Sequence, residues 1–401
     1  MKAKTLGILT ALTFIIVGIA VFLNHETTKP LSQDRGLVFP ELMGKINDVT
    51  ELTIESTGET VTLVRQDNRW GVKEKDHYPA ALDKVKSSLV GIAELRFREP
   101  KTNNPDLFEK LGLQDHQKEG SRATLVTIRT SQDQEVAKLL IGDQRPAKGN
   151  PSLSEIFVRK PADPQTWLVT GKLHLERTVT EWLNQDILNL EGTRVRRVRV
   201  LHPGGESLTV QKASPDALDF QIADIPKGSK IQSQFNVNNV VNTLSTLTLD
   251  DVKKKATMES DVTPGVTAVV ETFDGLEVTV ETLGKGEAVY GKISSKFDPS
   301  LVYKVEEPER KAEKDDQSLD EKSEKTKTET FGEEKTVATS KINDQDQQTT
   351  ELAKPHIKSA EEVKEEVAAM NKKFEDWIFE LPKFKVDNFS KKKKDLITKK
   401  S

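Results

Sequence analysis

The feature that most constrains this chain is that it repeats its own hydrophobic pattern. Val49, Leu52 and Ile54 mark a strand whose apolar positions return as Val195, Val198 and Val200. Trp70 returns as Phe220, and the helical stripe Leu82, Val85, Leu89, Ile92 returns as Val237, Val240, Leu244, Leu247. The run from Glu135-Val136 to Ile141-Gly142 returns as Glu277-Val278 to Leu283-Gly284. The offset drifts between roughly 135 and 155 residues, as insertions in loops produce. The expectation is an α+β fold: two tandem modules of antiparallel sheet plus packed helix, preceded by one transmembrane helix.

A chain of 401 residues has room for two such modules. Apolar residues make up 35% and charged residues 31%, a polar balance implying that part of the chain does not pack. The net charge of −4 gives no electrostatic pull on nucleic acid, so no nucleic-acid partner is expected. Cysteine is absent, which removes disulfides, thiolate metal sites and a cysteine nucleophile and leaves the compartment open.

Lys2 and Lys4 precede Thr5–Leu23, a run without a charged residue. As a helix it would span about 28 Å, close to the hydrocarbon thickness of a bilayer. It is longer than the apolar core of a cleaved signal, so residues 1–23 are expected to be an uncleaved N-terminal membrane anchor. A short basic N-terminus stays in the cytosol, which puts the bulk of the chain outside the cytoplasmic membrane. Residues 24–44, with Pro30 and Pro40, follow as a stalk.

Module one is expected over residues 45–190. The alternation in Val49-Thr50-Glu51-Leu52-Thr53-Ile54 predicts a strand, Ser56–Glu59 a hairpin turn, and Thr60–Val64 its partner. Arg69–Val72 predicts a third strand. Tyr78-Pro79 predicts the start of a helix that carries Leu82 to Leu95. Leu107–Leu111 predicts a helical turn ending at Gly112. Strands are predicted at Ala123–Thr130, Glu135–Ile141, Ile156–Lys160 and Trp167–Val169. Leu175, Val179, Trp182 and Leu183 predict a helix within 173–190.

Module two is expected over residues 191–305, with a helix from about Val237 to Leu249 and a turn at Phe273-Asp274-Gly275-Leu276. Residues 306–360, dominated by Glu, Lys, Asp, Ser and Thr, are expected to be a disordered charged insertion. Residues 361–401 are expected to be a helical segment packing on module two, its face formed by Val363, Val367, Met370, Phe374 and Trp377. Phe374–Ile378 echoes Thr180–Leu183, so each module is expected to close with a helix bearing a tryptophan.

Chemistry-bearing motifs are few. Gly286-Glu287-Ala288-Val289-Tyr290-Gly291-Lys292 has the spacing of a phosphate loop, but Ile293 stands where Ser or Thr must hold magnesium, and the segment reads as turn plus strand. His25, His77, His116, His174, His202 and His356 include no i,i+3 or i,i+4 pair, so no metal motif is visible. No G-x-S-x-G elbow occurs. Trp70, Trp167, Trp182 and Trp377 fall on apolar faces and are assigned to cores rather than to a sugar-binding face. Lys391–Lys394 reads as a solvated helix end, with an acidic lipid or a partner as the alternative. No catalytic, cofactor-binding or metal-binding residue is assigned, and no cofactor is expected.

Trp70 followed by Tyr78-Pro79-Ala80, then the helix, then Asn104-Pro105, Leu111-Gly112-Leu113 and a strand ending Ile141-Gly142, resembles a bacterial family, domain-of-unknown-function family 4340. The resemblance covers roughly residues 45 to 255. It implies a single N-terminal membrane helix and an envelope protein beside an ABC-type transport system, including auxiliary proteins of the gliding-motility type. It brings no catalytic residues, and the charged insertion departs from its pattern. The expected function is therefore a non-enzymatic, membrane-anchored extracytoplasmic adaptor of an ABC-type transport complex, in the bacterial inner membrane with its bulk in the periplasm. The alternatives are a binder of envelope glycan and an unrecognised hydrolase.

Overall fold

The structure is a computed structural model that describes residues 36–258, 261–303 and 357–399. The apolar run Thr5–Leu23 and nearly all of the charged stretch expected at 306–360 lie outside the described residues. Among the described residues no helix is long and apolar enough to cross a membrane.

The first part of the chain forms β1 (Val49–Ser56), β2 (Glu59–Gln66), β3 (Arg69–Val72), β4 (Tyr78–Pro79), helix α1 (Leu82–Ala93), β5 (Arg96–Pro100), β6 (Thr124–Thr130), β7 (Glu135–Ala147), β8 (Asn150–Arg159) and β9 (Thr166–Gly171). Its nine strands make one antiparallel sheet in the order β4-β3-β2-β1-β6-β7-β8-β9-β5. The second part forms β10 (Val195–Leu201), β11 (Ser207–Gln211), β12 (Gln221–Ile222), β13 (Ser229–Ile231), helix α2 (Gln234–Ser245), β14 (Asp251–Lys254), β15 (Thr263–Thr272), β16 (Leu276–Lys285) and β17 (Ala288–Phe297). After residue 357 come α3 (Ala360–Phe374), β18 (Trp377–Glu380), α4 (Lys383–Phe389) and β19 (Ile397–Lys399). The second sheet has the order β12-β11-β10-β15-β16-β17-β18-β14, and β13 pairs with β19 separately. Mixed helix and large antiparallel sheets are thus the architecture of the molecule.

Leaving out β4, the two sheets follow one strand order, β3-β2-β1-β6-β7-β8-β9-β5 against β12-β11-β10-β15-β16-β17-β18-β14. They also share an irregularity. Val49 and Leu52 both face inward although they are three positions apart, which breaks the two-residue period of a strand. A bulge between Val49 and Glu51, where β1 meets β6, absorbs the extra residue. The β10–β15 pair carries the same shift between Val195 and Arg197, which lets Val195 and Val198 both point inward. All four side chains are fully buried. Each sheet is backed by one twelve-residue helix. Val85, Leu89 and Ile92 bury the inner face of α1, and Val237, Val240, Val241 and Leu244 that of α2.

The structure corrects four local expectations. Tyr78-Pro79 is the edge strand β4, with Pro79 opposite Gly71, and the helix starts only at Leu82. Proline is tolerated there because an edge strand can do without one N–H. Leu82 is 44% exposed at the head of the helix and does not join the buried stripe. The helix α2 ends at Ser245 rather than near Leu249.

The fourth correction concerns residues 173–190, which hold only a single 3-10 turn, Thr180–Trp182, instead of a helix. Their backbone groups bond outward to both halves. Trp182 O accepts from Ala81 N and Asn184 N donates to Pro79 O on one side; Ile187 N and Leu188 N both donate to Leu247 O on the other. Leu183, Ile187, Leu188 and Leu190 are all buried, so an extended strap satisfies burial where a helix would satisfy only one face. Across this strap the apolar residues of both halves form one continuous core.

The expected tryptophan-bearing closing helices are absent. Trp182 lies in the 3-10 turn and Trp377 lies in β18. β18 sits between β17 and β14, as β9 sits between β8 and β5, so the positional counterpart of Trp377 is Trp167 in β9. Trp377 stands opposite Lys254 at the far end of β14, and Trp167 opposite Pro100 at the far end of β5. Helix α3 and the charged stretch occupy the connection that residues 160–165 make in the first sheet.

Candidate functional site

A groove of about 500 Å³ opens where the first sheet's β2–β3–β4 edge meets the C-terminal turn of α3 and the start of β18. One wall carries Gln66, Asp67, Arg69, Trp70, His77 and Tyr78; Lys372, Lys373 and Trp377 form the other.

The first wall is shaped by unusual backbone. The β2–β3 hairpin turns through Asp67 and Asn68, both left-handed at φ 48° and 61°. Two successive positive φ values match the twist of a two-residue hairpin, and Asp and Asn tolerate that region better than most side chains. Asp76 and His77 repeat the device at φ 51° and 60° before β4. This return brings His77 O so close to Gly71 that a Cβ there would sit 2.7 Å from it, so only glycine fits. Two of the six non-glycine left-handed residues among the described residues, Asp67 and His77, line the groove, and their neighbours Asn68 and Asp76 complete the same turns. Held backbone of this kind concentrates at binding and switch regions.

The floor is aromatic. Tyr78 is buried and meets Trp377 edge to face, with ring centroids 5.1 Å apart at 84°. Tyr78 also meets Phe379 at 6.4 Å. Lys254 Nζ lies 4.1 Å from the Trp377 ring centroid and 3.3 Å from the Asp376 carboxylate. A cation over an indole face contributes about 0.5–2 kcal/mol. The Tyr78 hydroxyl donates to Asn184 O at 3.3 Å, and burial, with Asp186 adding to it, pushes its pKa well up, so it stays a neutral donor. Trp70 is buried, whereas Trp377 is only partly buried and is not the pure core residue expected.

The cations differ in kind. Lys372 and Arg69 are exposed. Lys373 Nζ donates to Asp186 O at 2.6 Å and to Ile187 O at 3.2 Å, which ties α3 to the strap. Burial pulls its pKa down, and the Asp186 charge opposes that shift. Across the same junction Lys75 Nζ lies 2.7 Å from the Asp251 carboxylate.

Among its described lining residues the groove has one carboxylate, Asp67, one imidazole, His77, and no serine, threonine or cysteine. It offers aromatic faces, cations and the Gln66 amide, groups that bind by stacking, charge and hydrogen bonding.

Elsewhere the motif residues are structural. Leu111-Gly112-Leu113 packs onto Ile141-Gly142: a Cβ on Gly142 would sit 2.3 Å from Leu111 O, and one on Gly112 would sit 2.5 Å from Asp143 Oδ1. Arg122 closes the contact with Nε and Nη2 each 2.9 Å from an Asp143 oxygen. Asn104 caps the next turn by accepting from Asp106 N. The phosphate-loop-like segment is the β16–β17 turn and the start of β17. Among the described residues no three His, Cys, Asp or Glu side chains gather to hold a metal. His116 faces Glu55 and Asp115, His174 faces Glu176, and His202 is buried with Nε2 unpartnered. His25 and His356 lie outside the described residues.

These features define a mixed α+β protein built on two large antiparallel sheets with an aromatic, cation-edged groove at their junction. Residues 70–264 match the model of the family described as Domain of unknown function (DUF4340). The match runs from Trp70 in the groove wall to Pro264 in β15, and so crosses the strap and enters both sheets. No curated protein matches the chain, and no solved structure matches it.

Proposed function

We propose that the protein is a non-enzymatic adaptor, anchored in the bacterial inner membrane by residues 1–23, that presents two tandem copies of one α+β module outside the cytoplasm as an accessory of an ABC-type transport complex. The shared strand order and the shared bulge at Val49 and Val195 support the tandem reading. The observation that carries the binding role is the groove itself, where Trp70, Tyr78 and Trp377 are flanked by Arg69 and Lys372 without serine, threonine or cysteine among the described lining residues. A tethered groove raises the local concentration of its partner into the millimolar range when the linker is short and flexible. Photo-crosslinking from Lys372 in native membranes, followed by identification of the captured chains, tests this. ABC transporter subunits support the reading, and their absence from the captured set overturns it.

A second reading, binding of envelope glycan, draws on the partly exposed Trp377 ring. Sugar stacking needs open aromatic faces, and Trp70 and Tyr78 are 8% and 1% exposed, so the protein-partner reading is favoured. Retention of the protein on isolated envelope glycan, lost in Trp377→Ala, would reverse that order.

A further inference from the structure

We propose that the lysine-rich corner of the second sheet, around β13 and β19, docks on an anionic lipid surface. The corner is assembled by backbone contacts from distant parts of the chain. β13 pairs with β19 through Ser229, Lys230 and Ile231 opposite Lys399, Thr398 and Ile397, and Gln232 N then donates to Leu396 O at 2.9 Å. The helix α2 starts two residues later, so Phe235 lies three residues along the chain from the backbone tie to Leu396, and Leu396 follows Lys394 by two.

Two independent properties meet there. The first is charge: residues 383–399 hold seven lysines against two aspartates, in a chain whose net charge is −4. Lys385, Lys392 and Lys393 are used internally, Lys385 donating to Thr246 O at 2.6 Å, Lys392 lying 3.0 Å from Glu206 and Lys393 3.3 Å from Asp224 O. Asp395 is held by Lys392 N at 2.9 Å. Lys391 and Lys394 make no such contact among the described residues and remain available.

The second property is exposed apolar surface. Phe235 is 75% exposed, Phe384 on the adjoining α4 is 64% exposed, and Leu218 is 84% exposed in the loop before Phe220. That loop is bound to the start of α2, with Asp219 accepting from Asn238 and Phe220 O accepting from Gln234. Exposed phenylalanine and leucine on elements tied to a lysine-rich segment are what an interface of acidic headgroups over acyl chains accommodates. Each lysine near an anionic leaflet contributes about 1 kcal/mol of attraction. The surface is distinct from the groove and does not rest on its partner.

Hydrogen exchange on the full chain with vesicles tests the proposal. Vesicles of phosphatidylcholine alone are compared with vesicles containing about a third phosphatidylglycerol, in the charge range where polybasic segments bind. The apolar N-terminal run contributes equally to both. The proposal expects peptides covering 227–235 and 391–399 to slow only with phosphatidylglycerol. The slowing should be lost near 1 M salt, where charge screening acts within about 3 Å. Lys391→Ser with Lys394→Ser should weaken the vesicle-dependent slowing by roughly thirtyfold. Phe235→Ser should weaken it while leaving the exchange of the core strands unchanged. Equal protection with both lipids, protection untouched by the double substitution, or protection by soluble polyglutamate in place of the lipid overturns it.

Discussion

Trp377 stands edge-on to Tyr78 with ring centroids 5.1 Å apart, and this contact, with that of Tyr78 to Phe379, joins β18 of the second sheet to the edge strand of the first. Each ring has a second partner, Lys254 above the indole and Asn184 O on the phenol, so the pair links both sheets and the strap between them. Trp377→Ala should therefore cost about 3 kcal/mol, the lower end for a large aromatic truncation because the ring is only partly buried. Tyr78→Phe keeps the ring and loses one hydrogen bond, so it should cost about 1 kcal/mol. Midpoints of urea unfolding for the two variants check the ordering.

Arg194 is 4% exposed and ties α3 to the second sheet. Its Nε lies 2.7 Å from Asp274 Oδ2 and its Nη2 2.8 Å from Glu366 Oε2. Asp274 and Glu366 both titrate lower than usual: burial works against this, but the hydrogen bonds and charge of Arg194 prevail. A carboxyl depressed in the folded state stabilises above its unfolded pKa and loses that contribution as pH falls through the folded one. Stability from this cluster should be complete above about pH 5 and should decline below about pH 4. Asp274→Asn should cost on the order of 3 kcal/mol at neutral pH and flatten the acid limb, measured as urea midpoints across pH.

Gly142→Ala places a Cβ 2.3 Å from Leu111 O, a backbone atom that cannot swing away, whereas Gly44 has nothing within 4 Å. The first substitution should cost on the order of 2 kcal/mol or more and the second well under 1 kcal/mol. Thermal unfolding of the two variants makes the comparison.

Arg69 and Lys372 are exposed on facing walls of the groove and lie outside the buried core. Arg69→Ala with Lys372→Ala should leave the unfolding midpoint within about 0.5 kcal/mol of the parent. It should also reduce partner recovery in native-membrane crosslinking. Undiminished recovery would remove the groove from the contact surface.

The strands readable in advance include Leu276–Lys285, whose inward residues alternate, and Thr124–Thr130, which is buried along nearly its whole length. The edge strands Arg96–Pro100 and Asp251–Lys254 were not legible, because their side chains are mostly charged and their role is to pair backbone. The strap at 173–190 misled for the opposite reason: residues buried on two sides look like one apolar helix face when only spacing is read. The groove was invisible because Trp70 and Trp377 lie far apart in the chain, and each alone reads as a core residue. One local cue existed in the pairs Asp67-Asn68 and Asp76-His77, which carry the chain through sharp left-handed turns on either side of Trp70.

β14 takes its sheet partner only from β18, a strand made after the whole charged stretch. During synthesis the first sheet has every strand once residue 171 has emerged, whereas the second stays open until residue 380 has followed. Closing the connection between β17 and β18, compared with the short one between β8 and β9, costs roughly 2 kcal/mol more in chain entropy. A chain ending anywhere in the charged stretch would thus lack β18 and leave the facing edges of β17 and β14 unpaired, open to pairing with strands of other chains.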